Sequence, residues 1–431
     1  MHVRIRDGVT LDLLPTKKFK TIGIKVDFVA PLQATAITAR ALLAQVLETS
    51  TAEYPTQTAL ARQLSRLYGA SFGISVVKLG TKHVIRLTCS VVDEQYLEQY
   101  QDTMPLFERG MALLQAVLFA PLLPNGNFDP TTFTQQRQNL LTAIKSLDDD
   151  KQYLANRRLQ ELLFTGQPAQ AMSALGDVTT LGELTANDIL ATYHEMLAHD
   201  AVHVAVIGDV SEERVTTALA AWPLAERLEP ATEPYYRWTA RSQVQAGDDE
   251  APVVQAKLNL AYQLPIYRSD ADFLPAVVFN AAFGGTPLSL LFTNVREKAS
   301  LAYYASSDYN PFTGALTVQT GIQAQNQERV IAIVTEQLQA LQAGKLSTEL
   351  LAEVKASLLN ARLASLDSPQ RQLTGALNSG LTHLQEPLTH WQEKLAQVTV
   401  ADVQRVAQQV SLQATYCLHG KETGDANETR V

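Results

Sequence analysis

The chain has 431 residues, of which 46% are hydrophobic and 18% are charged, so it is long enough and apolar enough to bury the cores of two or three domains. Its formal charge is −9 and its pI about 5.5, which argues against a dedicated binder of nucleic acid or anionic membrane, because such a protein carries a basic face. No run of about 18 apolar residues occurs and the first residues lack an apolar segment, so we expect neither a transmembrane helix nor a signal peptide.

The first half of the chain predicts strands and helices in a definite order. The predicted strands are apolar or alternating runs at 22–29, 76–77, 84–87 and 202–208. A long helix begins near Phe133 and continues to Asp148. A later helix begins at Thr185, an N-cap residue that has Asp188 three positions further on.

The second half of the chain repeats this order. Leu358 follows Leu140 by 218 positions within matching helical segments, and the N-cap residue Thr399 follows Thr185 by 214. The matching predicted strands lie at 254–262, 315–318 and 414–420. The chain therefore predicts one domain type present twice.

The mixture of paired strands and helices predicts an α+β fold with largely antiparallel sheets covered by helices, rather than a Rossmann fold. Residues 224–249 are rich in Glu, Pro, Arg and Gln, which is typical of a surface linker. We therefore expect an N-terminal domain at 1–225, a linker at 226–245 and a C-terminal domain at 246–431.

The two cysteines, Cys89 and Cys417, each lie in a strand-like segment. Such residues behave as small buried hydrophobes in a reducing compartment, where disulfides are rare. We therefore expect a cytoplasmic protein with two free thiols.

The most specific sequence lies in the second repeat. Residues 283–292 read Phe-Gly-Gly-Thr-Pro-Leu-Ser-Leu-Leu-Phe, and residues 295–303 read Val-Arg-Glu-Lys-Ala-Ser-Leu-Ala-Tyr. This text resembles the C-terminal half of insulinase-type (M16) peptidases, and the duplicated layout resembles the same family over nearly the whole chain. The resemblance implies two homologous α/β sandwich domains of the LuxS/M16 metalloenzyme type, facing each other across a cavity.

The resemblance also implies where zinc would be bound in the first repeat. Active family members carry His-x-x-Glu-His on one helix, with two imidazole ligands and a glutamate base, and a further Glu ligand on a later helix. Here Ala41 and Gln45 stand at the two His positions, Ala44 at the base and Ala143 at the last ligand. Residues 30–46 contain neither His nor Glu, so we expect no zinc, no other cofactor and no catalysis by the chain alone.

His194 and His199 form a motif that only superficially resembles a zinc helix. Their spacing is five rather than four, which turns the imidazoles roughly 140° apart around a helix. We interpret them as residues near a helix C-terminus, where they complement the helix dipole.

The resemblance assigns a substrate role to Arg296 and Tyr303. In active members an Arg and a Tyr seven apart hold the scissile carbonyl, the Arg through a planar fork of donors and the Tyr through a neutral hydroxyl. This chain keeps that spacing. The alternative interpretation places Arg296 on a solvated helix end and makes Tyr303 a core aromatic.

Two functional hypotheses follow from the resemblance. In the first, the chain is the non-catalytic subunit of a heterodimeric peptidase, supplying Arg296 and Tyr303 to a zinc-bearing M16 homologue that acts on a peptide or unfolded polypeptide. The chain also resembles degenerate Gram-positive members associated with 5-aminopentanol modification of elongation factor P. In the second, it is a peptide-binding or scaffold protein that holds a peptide by strand addition without any part in proteolysis. Neither hypothesis involves nucleic acid or a membrane.

Overall fold

The computed structural model describes residues 1–98, 100, 102–227 and 233–420. The chain forms two compact units, and neither is a continuous stretch of sequence. The bounds of the first unit are Met1–Ser146, Met172–Pro234 and Leu363–Gln385, and those of the second are Leu147–Ala171, Tyr235–Arg362 and Glu386–Val431. Part of the predicted linker (228–232) and the end of the predicted C-terminal domain (421–431) lie outside the described residues.

The described residues form eleven strands and fifteen α-helices. The strands are β1 (His2–Arg6), β2 (Val9–Pro15), β3 (Thr21–Pro31), β4 (Ser71–Leu79), β5 (Lys82–Val92), β6 (Ala201–Gly208), β7 (Gln245–Glu250), β8 (Ala256–Gln263), β9 (Ala302–Asn310), β10 (Ala315–Ile322) and β11 (Ser411–His419). The helices are α1 (Ala34–Leu47), α2 (Gln57–Arg66), α3 (Leu106–Phe119), α4 (Pro130–Leu147), α5 (Lys151–Leu163), α6 (Pro168–Ala171), α7 (Val178–Glu183), α8 (Ala186–His199), α9 (Glu212–Ala220), α10 (Phe273–Asn280), α11 (Gln327–Gln342), α12 (Thr348–Ser365), α13 (Pro369–Thr382), α14 (Leu388–Gln397) and α15 (Val400–Ala407). Two π-helical turns, Ala281–Gly285 and Phe292–Lys298, follow α10.

The sheet of the first unit has the strand order β1-β2-β6-β3-β5-β4. Its neighbouring strands are antiparallel, except that β2 and β6 run parallel. Side chains of β3 alternate between the faces of the sheet, as strand geometry requires. Ile24 and Val26 belong to the main hydrophobic core on one face, whereas Lys25 and Asp27 point to the other. β4 lies at one edge of this sheet.

Helices α1, α3 and α8 pack on the core face of the first sheet. The sequence of α1 is apolar around nearly its whole circumference, which is typical of a fully buried helix. Its last turn carries no basic residue. α8 begins with a capping box in which Thr185 and Asp188 bond each other's backbone, as the sequence predicted.

The sheet of the second unit has the strand order β7-β11-β8-β10-β9. β7 and β11 run parallel and the other neighbours are antiparallel. This order matches the run β2-β6-β3-β5-β4 of the first unit, with the parallel pair at the same end. α10, α11 and α15 cover one face, and α15 begins with the capping box predicted at Thr399.

Each sheet is covered on its other face by a helix from the opposite half of the sequence. α13 packs on β2, β3 and β6 of the first unit, where Leu373 contacts Ala205 and Ile207. α5 packs on β7, β8 and β11 of the second unit, where Leu159 joins Ala261 and Tyr416. The units therefore differ from the contiguous halves expected from the repeat.

The predicted fold class is confirmed, since the chain is a mixed α+β protein with two largely antiparallel sheets covered by helices. Cys89 and Cys417 are both buried and free, each only 1% exposed. In the part of the chain that the structure describes, no helix combines the length and the apolar character that a membrane span requires.

Candidate functional site

Three of the positions that the resemblance assigns to the zinc motif lie on α1. Ala41 and Ala44 are 2% and 3% exposed and belong to the hydrophobic core of the first unit. Gln45 is half-buried and lines a pocket of about 440 Å³. The structure therefore places one of the three at a pocket and packs the other two into the core.

The pocket beside Gln45 is formed by the end of α1, one side of α2, β4 and α4. Its lining residues are Gln45, Glu48, Thr49, Gln57, Leu60, Ala61, Leu64, Phe72, Gln136 and Asn139. Ala143, the position assigned to the last zinc ligand, lies on α4 but is not among them. From α4 the pocket instead receives Gln136 and Asn139, whose side chains are joined by a hydrogen bond of 3.1 Å donated by Asn139.

The donor set of this pocket does not fit zinc. Gln45 Oε1 is buried and accepts no hydrogen bond, so a neutral amide oxygen stands where the resemblance assigns an imidazole. Alanine side chains at 41, 44 and 143 offer no ligand atom at all. Across residues 1–98, 100, 102–227 and 233–420, no group of three or more His, Cys, Asp or Glu side chains could hold a metal ion.

Glu48 supplies the carboxylate of the pocket. This residue caps the C-terminus of α1, and its Oε2 accepts a hydrogen bond of 3.2 Å from the backbone N–H of Ile74 in β4. Burial raises the pKa of the Glu48 carboxyl above its ordinary value, while the Ile74 N–H acts in the opposite direction. Sequence reasoning missed Glu48, although it directly follows the helix that was singled out for its missing ligands.

His194 and His199 lie on α8, whose last residue is His199. The side chain of His199 is 69% exposed, and its Nε2 lies 3.6 Å from Glu195 Oε2. His199 therefore lies at a helix C-terminus, as expected, and its side chain faces solvent.

Arg296 lies on the π-helical turn Phe292–Lys298 of the second unit and is exposed. Its guanidinium carbon lies 4.6 Å from the centre of the Phe292 ring, a cation–π distance that orders the side chain. Among the described residues, Arg296 forms no ion pair with a carboxylate. Its donors are therefore available to a ligand.

Tyr303 lies in β9 at a bulge. Tyr304 pairs with Gly321 of β10 and Ala302 pairs with the next residue, Ile322, so Tyr303 has no partner opposite it. A bulge of this kind turns a side chain away from the regular face of a strand. Tyr303 is accordingly 72% exposed, so the interpretation of Tyr303 as a core aromatic is wrong.

The neighbouring tyrosine is the one that packs. Tyr304 donates a hydrogen bond to Gln152 Oε1 of α5, and Lys257 Nζ lies 5.3 Å from the centre of its ring. Burial raises the pKa of Tyr304 to about 12, so its hydroxyl remains a neutral donor. Tyr303 is thus exposed to solvent, whereas Tyr304 packs within the second unit.

The glycine-rich turn before Arg296 allows two segments of backbone to approach closely. A Cβ atom on Gly284 would lie 2.6 Å from the backbone nitrogen of Ser307 in β9. The same contact region includes a hydrogen bond of 2.7 Å from Ser307 Oγ to Asn280 Oδ1. The turn therefore fixes the π-helical segment against the strand that carries Tyr303.

Comparison with known proteins agrees with this fold. Residues 183–358 match the family described as "Peptidase M16 inactive domain". The chain is 32% identical over 415 residues to the "Probable inactive metalloprotease YmfF" of Bacillus subtilis (strain 168), covering 96% of each chain. The crystal structure of a conserved protein from Enterococcus faecalis V583 is 35% identical and superposes with a TM-score of 0.92, covering 99% of each chain.

A more distant relative carries a zinc protease name. The "Uncharacterized zinc protease YmxG" of Bacillus subtilis (strain 168) is 21% identical over 265 residues, which cover 60% of this chain and 62% of that protein. The chain belongs to the M16 peptidase family. The matches to an inactive-domain family and to a probable inactive metalloprotease support a non-catalytic member of it.

Proposed function

We propose that the chain is the non-catalytic subunit of a heterodimeric M16-type peptidase and contributes Arg296 and Tyr303 to substrate held by a zinc-bearing partner. The observation that carries the proposal is the exposure of this pair on the second unit. Arg296 has no carboxylate partner among the described residues, and Tyr303 is 72% exposed. Side chains that served only the packing of the second unit would be expected to point into its core.

The chemistry of the pair suits a peptide carbonyl. The Arg296 guanidinium offers donors in a fixed plane and stays charged, and the Tyr303 hydroxyl adds a neutral donor. Donors of this kind stabilise the negative charge that develops on a carbonyl oxygen when water attacks it. The attacking water and its activating metal would have to come from the partner, because the zinc-site positions of this chain offer no ligand set.

The proposed partner is a zinc-bearing M16 homologue. Bacillus subtilis (strain 168) contains both YmfF, named a probable inactive metalloprotease, and YmxG, named a zinc protease. An inactive relative and a zinc-protease relative of this chain therefore occur in one organism. This co-occurrence supports a division of labour between two chains in the host of this protein.

The second candidate function is a scaffold that binds a peptide without any role in cleavage. β4 forms one edge of the first sheet, and β9 forms one edge of the second. An edge strand can bind an extended peptide through backbone hydrogen bonds alone. Tyr303 and Arg296 would then be dispensable.

The experiment that separates the two functions is reconstitution. The chain is co-purified with the zinc-bearing homologue from its own source, and cleavage of an unfolded polypeptide is compared for each chain alone and for the mixture. Activity that requires both chains and is lost with Arg296→Ala supports the subunit. Full activity of the complex with Arg296→Ala would favour the scaffold.

Two finer expectations remain predictions, the first resting on the resemblance and the second on the two cysteines. One is a link with 5-aminopentanol modification of elongation factor P, and the other is a cytoplasmic location. Deleting the gene and measuring the modification state of elongation factor P by mass spectrometry tests the first, and fractionation of cells tests the second.

A further inference from the structure

We propose that the pocket beside Gln45 and Glu48 binds a primary alkylammonium group, such as a lysine side chain of a bound peptide. The proposal deepens the peptide-binding part of the proposed function. The lysine side chain would come from a bound peptide, so that part of the proposal rests on the proposed function. It does not depend on a heterodimeric partner, because every residue that lines the pocket belongs to the first unit of this chain.

Three features make the pocket favourable for a cation. Glu48 contributes a carboxylate, and Gln45 contributes a buried amide oxygen that accepts no hydrogen bond. Both residues lie at the C-terminal end of α1, where the helix dipole is negative. An ammonium carries three donors and no acceptor, so it pairs with the acceptors present here.

No positive charge within the pocket offsets these groups. None of the lining residues is a Lys, Arg or His, and the last turn of α1 carries no basic residue. A buried acceptor without a partner is costly, so a ligand that supplies the missing donor is stabilised by more than its direct contacts. An anionic ligand would meet the Glu48 carboxylate and the negative end of the helix, which disfavours it.

The remaining walls of the pocket suit an alkyl chain. Leu60, Ala61 and Leu64 of α2 and Phe72 of β4 present apolar surface next to the polar end. The pocket measures about 440 Å³, which is ample for four methylene groups and an ammonium. A long amphipathic side chain buries its stem along such a surface and directs its charged end to the acceptors.

The position of the pocket beside β4 indicates how a peptide would deliver a lysine. β4 is an edge strand, and Phe72 is one of the lining residues. A peptide added to this edge would direct alternate side chains to one face. Glu48 also accepts the N–H of Ile74, which holds its carboxylate at this edge.

The test uses the full-length chain and two probes, n-butylamine and the capped pentapeptide acetyl-Thr-Val-Lys-Val-Thr-amide. Binding is measured by chemical-shift titration, with n-butanol and the norleucine peptide as neutral counterparts. We expect both amines to bind more tightly than their counterparts. Glu48→Gln should weaken amine binding by roughly ten-fold or more, because a charge-assisted hydrogen bond is lost while the side-chain shape is kept.

Two further variants keep the test decisive. Gln45→Glu adds a second carboxylate and should tighten amine binding, whereas Gln45→Leu should weaken it. Glu213→Gln, an exposed change on α9 with the same loss of charge, is the matched control and should leave binding unchanged.

The outcomes separate the pocket from the peptide function. If n-butylamine binds and the lysine peptide does not, the ammonium site is supported, and a lysine of a bound peptide is excluded as its ligand. Equal affinity for lysine and norleucine peptides, unaffected by Glu48→Gln, keeps peptide binding and overturns the ammonium pocket. Absence of amine binding by the folded wild-type chain overturns the proposal outright.

Discussion

Arg40 and Asp200 form an ion pair inside the first unit. Arg40 Nη1 lies 2.7 Å from Asp200 Oδ2, and each side chain is only 4% exposed. Arg40 also donates from Nε to His83 Nδ1 at 3.1 Å and from Nη2 to the carbonyl of Phe28 at 3.2 Å. Arg40 therefore joins α1, which carries the positions assigned to the zinc motif, to the residue after α8 and to the sheet.

Replacing Arg40 is expected to destabilise the chain strongly. Arg40→Met should lower the free energy of unfolding by about 3–5 kcal/mol, because the buried Asp200 carboxylate loses its ion-pair partner. Urea unfolding measures the effect. Arg62→Met on the exposed face of α2 is the matched control and should change stability by less than about 0.5 kcal/mol. Equal effects of the two substitutions would contradict the assignment of a buried pair.

Two glycine substitutions are expected to act in opposite directions. Gly284→Ala should destabilise the second unit, because its Cβ would lie 2.6 Å from the backbone nitrogen of Ser307. Gly375→Ala, inside α13 with open space at the Cβ position, should stabilise the chain by about 0.5–1 kcal/mol. Thermal melting of the two variants checks the signs, and a stabilising Gly284→Ala would refute the close approach.

The purified chain is expected to contain no stoichiometric zinc after dialysis and to cleave no peptide by itself. Introducing a ligand side chain at Ala41 or Ala44 is expected to cost stability, because these residues are only 2% and 3% exposed. Ala41→His should lower stability by about 1–3 kcal/mol through overpacking. Metal analysis by mass spectrometry and chemical denaturation test the two parts. One zinc ion per chain that survives dialysis would contradict the first.

The affinity of the Glu48 pocket for an amine is expected to fall at low pH. Burial raises the pKa of the Glu48 carboxyl, and an ammonium binds its ionised form, so affinity is full above that pKa and falls about ten-fold per pH unit below it. No other titratable residue lines the pocket. Titrations of n-butylamine from pH 8 downward should therefore show a decline that is absent in Glu48→Gln. The same decline in that variant would point to a different group.

Within a reconstituted complex, Arg296→Lys and Tyr303→Phe are each expected to reduce kcat/KM by about 10- to 100-fold, because a charge-assisted hydrogen bond contributes about 1.5–3 kcal/mol. Lysine keeps the charge but not the planar fork of donors. Assembly and melting temperature should stay nearly unchanged, because both side chains are exposed. A loss of assembly instead of turnover would assign the pair to an interface.

The sequence was sufficient for the fold class and for the N-terminal caps of two helices. Capping boxes at Thr185 and Thr399 are local patterns, and both form as predicted. The expectation of no zinc rests only on the identities of Ala41 and Gln45 on one helix, and it stays a prediction. Local information of this kind does not depend on how distant segments pack.

Other features depend on distant segments and were not predictable. The pocket beside Glu48 brings Phe72 and Gln136 together with α1, and nothing in the sequence pairs them. The exposure of Tyr303 follows from a one-residue bulge, which reverses the face that simple alternation assigns. The sequence pattern of α13 shows that it buries one side, but not which sheet it covers.

α5 covers the second sheet and α13 covers the first, and this exchange affects how the chain can fold during its synthesis. The strands of the first sheet are complete at Gly208, yet the helix that covers one face emerges from the ribosome only after Pro369. Lys25 Nζ donates to Thr374 Oγ1 at 2.7 Å, across 349 positions of sequence. Contacts this distant in sequence slow folding, because the long loop must close before they form. A nascent chain that ends at residue 360 would therefore expose Ala205 and Ile207, and exposed apolar surface of this kind favours aggregation of incomplete chains.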